Sequence, residues 1–282
     1  MVEPRRKARY QCGTFNSHTD LACSKLVQKH WLKQHMTSSE ENGGSAIPPV
    51  PPAREPAINA PPVVLGLGAI MVVVHTIMQF LPRQLEEWAL LTFAFIPARY
   101  GGNAPAGIPG GEGADVWSFI THLFLHGDWI HLAINVLFMA AFGSVLARRF
   151  GVGRFLLFSA LAGIGGALAH LVSYWGEFIP VIGASGAISG QMAGSVRLMF
   201  ARPQTIFEIH QMNPNTVKAL TLREVFTSRR ALTFLLVWIV IMTFTGAGNM
   251  FAPEGVNIAW QAHLGGFIMG LLVFGFIDPV KR

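Results

Sequence analysis

Charge is scarce in this 282-residue chain: Asp, Glu, Lys and Arg make up 13% of it, against 51% hydrophobic residues. Soluble domains carry about 25% charged residues, and the mean hydropathy here is +0.43. The expected solvent for most of the chain is therefore a bilayer. Cysteine is scarcer still. Cys12 and Cys23 both lie near the N-terminus, which excludes a disulfide framework for the rest. His18, His30 and His35 share that region, but the spacing fits no zinc-finger pattern. A His-Glu-x-x-His zinc motif is absent. So is any recognisable nucleic-acid motif, although the net charge is +6. Acids are missing from the apolar stretches, because all fifteen Asp and Glu fall outside them or at their edges. That argues against a transporter or channel, whose mark is an intramembrane acid or charged relay.

Residues 1–61 are polar and basic, with a proline-rich segment over 47–62, and read as a solvated, disordered cytoplasmic tail. The tail has no apolar signal-peptide core. Residues 1–35 differ in character from the run Thr37-Ser38-Ser39-Glu40-Glu41 that Met36 opens, so translation is expected to start at Met36. The membrane domain is expected over 62–282. It holds six apolar stretches, at about 63–81, 129–147, 155–175, 184–201, 231–248 and 258–277. Each is near the roughly 20 residues a helix needs to cross a bilayer. A helix satisfies its backbone groups within the segment, so helices are the expected spanning form.

Nineteen of the 21 Lys and Arg fall in one set of alternate connections and two, Arg83 and Arg99, in the other. Both termini are therefore expected to face the cytoplasm. The first outer connection, about 82–128, is unusually long. Its segment 85–91 is amphipathic, and is expected to lie in the headgroup layer.

This orientation gives the second, fourth and sixth stretches the same direction, from outside to inside. His131 and Asn135 lie in the first turns of the second, Ser185 starts the fourth within Gly183-Ala184-Ser185-Gly186, and His263 lies about five residues into the sixth within Ala262-His263-Leu264-Gly265-Gly266. Four polar groups thus reach a similar depth near the outer face, and intramembrane polar groups mark function when they point inward. Ser185 could be a small packing residue beside Gly186, Gly190 and Gly194, since small residues let helices approach. It also sits at a helix start, where free N–H groups favour developing negative charge. His263 could bond a carbonyl. The glycines after it equally let its helix press close enough for imidazole to reach the serine hydroxyl, as an activated nucleophile requires. No carboxylate completes a triad. Asp128, Glu177 and Glu254 lie on the outer side, and a two-residue Ser–His unit is the simpler reading. His131 and Asn135, four apart on one helical face, can donate hydrogen bonds to an oxyanion or tie their helix to its neighbours. His122 and His126 precede them, with no acid beside them in an intramembrane span, so a metal site is not expected. His126 is expected to shape the outer loop, and His75 and His170 to be structural or interfacial.

With these motifs in this order, the chain resembles the rhomboid family of intramembrane serine proteases over about 63–277. The resemblance implies an all-α membrane protein, a six-transmembrane-helix bundle with a long interfacial first outer loop. It implies that Ser185 is the nucleophile and His263 its general base. His131 and Asn135 are implied as oxyanion donors with a backbone N–H near Ser185. Gly183, Gly186 and His126 would be structural residues near the site. The implied partners are transmembrane protein substrates and membrane lipid. No metal or organic cofactor and no nucleic acid is implied. Two features depart from the family pattern: no Trp-Arg pair stands at the centre of the outer loop, and Ser189 stands where some members place a tyrosine against the base. A catalytically silent client-binding relative is the alternative, and the presence of both Ser185 and His263 argues against it. The lack of a transit-type presequence favours a bacterial inner membrane.

Overall fold

The structure, a computed structural model, describes residues 60–102, 104–201, 217–247 and 259–280. The expected tail, the Met36 start and Glu254 lie outside the described residues. Those described are mostly helical, and the sole β-type pairing among them is a bridge between Phe95 and Val181. α1 is Pro62–Phe80. Proline opens it at the position where the missing N–H costs nothing, and its buried residues Val64, Gly68, Met71 and His75 recur every three to four residues along one stripe.

The long connection after α1 carries α2 (Arg83–Phe93) and α3 (Gly111–Thr121). The connection holds itself together by side chain-to-backbone bonds. Arg99 donates to the carbonyls of Leu91 and Pro109, Trp117 to that of Thr92, and Thr121 to that of Phe93. Arg99 thus anchors the loop although the sequence has no Trp-Arg pair at its centre. Leu85, Trp88, Val116 and Trp117 remain exposed on this segment.

α4 (Trp129–Phe138) runs through a π turn at Met139–Gly143 into α5 (Ser144–Ser173). Asp128 caps α4 by accepting the His131 N–H at 2.7 Å, the usual role of an acid at this position. The run Trp129–Ser173 is 45 residues long, or roughly 68 Å at 1.5 Å per residue, about twice the hydrocarbon thickness. It is broken at Gly151, whose φ of 72° is left-handed. The sequence places a connection between the second and third stretches there. α6 is Ser185–Met199, α7 Leu222–Thr227, α8 Arg229–Ala247 and α9 Trp260–Ile277. Among the described residues, the runs Pro62–Phe80, Trp129–Ser173 and Trp260–Ile277 are long and apolar enough to cross a membrane.

α5, α6 and α9 pack on one another and form the centre of the fold. α6 is buried along almost its whole length. Lipid is as apolar as leucine, so such helices associate by close packing and small residues rather than by escape from water. The closest approach is between Gly266 of α9 and Gly186 of α6, where a methyl group on Gly266 would run into the Gly186 carbonyl. The outward surface is apolar: Val73 and Ile77 of α1, Leu137 of α4, Val172 of α5 and Phe276 of α9 are all exposed, a surface suited to hydrocarbon. At the opposite end of α9 from the glycine contact, Asp278 receives Arg149 in a bidentate pair at 2.7 and 2.8 Å. Arg197, also buried, lies 4.4 Å over the Phe274 ring and donates to the carbonyls of Leu220 and Leu271.

Candidate active site

The segment that enters α6 is clamped at every second residue. His170 Nε2 donates to the Ile179 carbonyl at 2.9 Å. Val181 exchanges two backbone bonds with Phe95 of the outer loop, and the Gly183 N–H donates to the His122 carbonyl at 2.9 Å. Gly183 has φ 110°, a conformation that glycine adopts without steric cost. The chain then turns directly into α6 with Ala184 at the cap position and no side-chain cap. The first amides of the helix therefore have no intrahelical or side-chain acceptor, and they present the positive end of its dipole at Ser185.

Ser185 and His263, 78 positions apart, meet across α6 and α9 with His263 Nε2 2.8 Å from Ser185 Oγ. Both residues are half-buried. His263 Nδ1 is buried without a partner among the described residues, so no described carboxylate orients the ring. Asp128 is committed to capping α4, and Glu177 is exposed. Ring placement comes instead from the helix backbone, held by the contact of Gly266 with Gly186 three residues further on. Ser189 is buried, and no aromatic ring among the described residues packs on His263.

His131 stands on the other side of Gly183. A methyl group on Gly183 would lie 2.8 Å from both Cε1 and Nε2 of His131, and 3.8 Å from Ser185 Oγ. The Nε2 edge of His131 is thus brought to the serine motif. Asn135 lies one turn deeper, 3% exposed, with Nδ2 donating to the His131 carbonyl at 2.8 Å. One of its two amide protons is used there, which leaves one for another acceptor. His126 packs edge-on against His131 with ring centroids 5.1 Å apart, and donates Nδ1 to the Phe124 carbonyl. Burial, reinforced by the neighbouring His131, pushes the His126 imidazole down to about 4. Burial likewise pushes His122 down to about 4. Both loop histidines are therefore neutral near pH 7.

Three contributors were not legible as functional in the sequence: the His122 carbonyl, Phe95 and His170, all of which fix the approach to Ser185. Backbone acceptors carry no side-chain signature, and only the buried histidine in an apolar stretch offered a clue. A cavity of about 230 Å³ lies against the other face of the first turn of α6, lined by Ala184, Ala187 and Ile188 and by Ser159 and Gln191. Neither Ser185 nor His263 lines it, so it is not the site of the pair.

The chain is similar to known proteins. The Rhomboid domain family matches residues 113–278, more than half of the chain. "Rhomboid protease GlpG" of Serratia proteamaculans is 25% identical over 224 residues, covering 79% of this chain and 65% of that protein. "Rhomboid-like protease 1" of Toxoplasma gondii is 25% identical over 241 residues, covering 84% and 72%. "RHOMBOID-like protein 5" of Arabidopsis thaliana is 30% identical over 178 residues, covering 60% and 49%. The chain thus spans from about half to about three quarters of the length of these relatives. A serine and a histidine on two packed apolar helices, within a stretch that matches this domain throughout, make the chain an integral membrane protein of the rhomboid family.

Proposed function

We propose that the chain is an intramembrane serine endopeptidase that cleaves transmembrane segments of other membrane proteins near the outer face of the bilayer. The observation that carries the reading is the 2.8 Å contact between His263 Nε2 and Ser185 Oγ. A serine hydroxyl is a weak nucleophile until a base within hydrogen-bond reach takes its proton. In the proposed reaction Ser185 Oγ attacks the scissile carbonyl carbon while its proton passes to His263 Nε2. The carbonyl oxygen becomes an oxyanion, met by His131 Nε2–H, the remaining Asn135 amide proton and an uncapped amide at the start of α6. Donors aimed at such an oxygen are worth about 3–4 kcal/mol each in other enzymes. His263 returns the proton to the leaving amine, and water then hydrolyses the acyl-enzyme by the same route. The half-buried setting of Ser185 and His263 gives that water access.

The membrane arrangement proposed with this reaction has six crossings. The apolar run Trp129–Ser173 makes two of them, divided at Gly151, and α6 is an inner helix shielded by its neighbours. Both termini are cytoplasmic. The outer loop dips its exposed Leu85, Trp88 and Val116 into the membrane interface. A polar tail over residues 1–61 precedes this domain, and a bacterial inner membrane is the proposed location.

Labelling with a fluorophosphonate probe tests the reading without knowledge of the natural substrate. Wild-type protein is expected to label at Ser185, and Ser185→Ala to lose all label. Ser185→Ala and His263→Ala are each expected to abolish cleavage of a model transmembrane substrate. Full cleavage by either purified variant refutes the assignment.

A further inference from the structure

His75 is a buried polar group that the proposed reaction leaves unused. It lies in α1, an apolar helix with no other charged or titratable side chain, and is 1% exposed. A polar side chain at such a position is costly, and leucine would fill the stripe with Val64, Gly68 and Met71 at less expense. His75 does not touch the serine or its base. Its Nδ1 lies 3.1 Å from the His126 carbonyl oxygen. Because the oxygen accepts, Nδ1 carries the proton. The ring also stands edge-on to Trp129, the first residue of α4, at 4.6 Å between centroids.

The carbonyl of His126 and the N–H of Gly127 belong to one rigid, planar peptide group. That N–H donates to His131 Nδ1 at 3.5 Å. A donor onto Nδ1 requires the lone pair there, so the neutral ring carries its proton on Nε2. Nε2 is the edge that abuts Gly183 beside Ser185. One end of the peptide is thus held by α1 and the other sets which nitrogen of His131 is the donor. A tautomer is commonly fixed in this way, by the bond made at the other nitrogen.

We infer that His75 is a positioning residue: through the single peptide group between His126 and Gly127, it fixes the tautomer and orientation of His131 as an oxyanion donor. The catalytic half of this inference rests on the proposed function, whereas the tautomer half does not. Without the His75 bond, the peptide is free to rotate, its N–H leaves His131, and the ring divides between tautomers. The form protonated at Nδ1 has no proton to give the oxyanion.

The test uses full-length protein in bilayers or detergent with His75→Leu, His75→Asn and His75→Gln. Asparagine carries its amide nitrogen where Nδ1 stands, and glutamine carries it one bond further out. The ¹⁵N spectrum of histidine-labelled protein, with His131 assigned by difference against His131→Asn, is expected to show a single Nε2–H tautomer in wild type and His75→Asn, and a mixture in His75→Leu and His75→Gln. In cleavage, kcat is expected to fall about tenfold or more in His75→Leu and His75→Gln with KM unchanged, below the 10²–10³ of losing a donor outright, and to recover in His75→Asn. An unchanged His131 tautomer in His75→Leu overturns the inference. So does equal recovery by asparagine and glutamine, or a kcat that follows thermal stability alone. If His75→Leu does not fold, the asparagine–glutamine comparison decides. Should Ser185→Ala cleave as well as wild type, the proposed reaction fails, and the spectrum still decides the relay.

Discussion

Gly183 shows how narrow the tolerances are at the scale of one residue. Its φ of 110° costs any other residue about 1–3 kcal/mol of backbone strain. A side chain there also enters the space of His131, 2.8 Å from its Nε2. Gly183→Ala is therefore expected to push the imidazole and the serine turn apart. Misplacement by about 1 Å can cost 10²-fold in rate, and a loss of that order in cleavage of a model transmembrane substrate is the expected outcome. A moderate fall in melting temperature should accompany it. Activity equal to wild type would mean that His131 takes no part. Ser185 and His263 stood out at this scale as candidates, because a hydroxyl and an imidazole in glycine-rich apolar helices are costly without a partner, and the structure brings them into contact. His75 was equally visible as a residue, but not as a participant. Its action passes through a backbone carbonyl 51 positions away, and no side-chain pattern records that.

At the scale of elements, the site depends on how closely α9 approaches α6. Gly266 faces the Gly186 backbone with no room for a methyl group, while Gly275, further along the same helix, faces open space. Gly266→Ala is expected to force the helices apart, at about 1–3 kcal/mol for overpacking, and to abolish cleavage. Gly275→Ala should leave cleavage and melting temperature unchanged. Equal effects of the two, in parallel thermal melts and cleavage assays, would show that the loss reflects helix composition rather than the contact. Four of the six apolar stretches match described helices to within a few residues, because hydropathy limits them directly, whereas the second and third share one run, Trp129–Ser173, interrupted at Gly151. Other elements were not legible. α3 begins Gly111-Glu112-Gly113, a poor helix-forming sequence, and is held by Trp117 and Thr121 bonding back to α2. The π turn at Met139–Gly143 has no sequence signal either. Ser195 of α6 donates to the Phe142 carbonyl at 2.9 Å, so that turn is joined to a neighbour that lies 53 residues away.

For the whole molecule, the ends of the bundle are held by different physics. One end carries the histidines, of which His122 and His126 in the loop are neutral and bonded to backbone carbonyls. The opposite end carries buried arginines. Arg149 and Arg197 count among the cations on which the expected orientation rests, yet both are buried and bonded inside the protein. Removing one partner of a buried pair costs about 3–5 kcal/mol. Asp278→Ala is expected to lower the melting temperature by several degrees or more. Asp278 lies 15 residues from His263 along α9, or roughly 22 Å. Probe labelling of Ser185 at low temperature should therefore stay near wild type in this variant. A matching loss of labelling would mean that the two ends of the bundle are coupled.

What the sequence determined by itself follows from short-range physics. Scarce charge points to a bilayer, apolar length to helices, and the cation bias to the proposed orientation. Glycine-flanked Ser185 and His263 point to the proposed chemistry. The tertiary structure alone decided distances between groups remote in the chain: the 2.8 Å contact of Ser185 with His263, the clamping of residues 179–183 by three separate elements, and the peptide that joins His75 to His131. These depend on helix packing and on backbone donors and acceptors, which every residue but proline supplies alike, so no residue pattern can announce them.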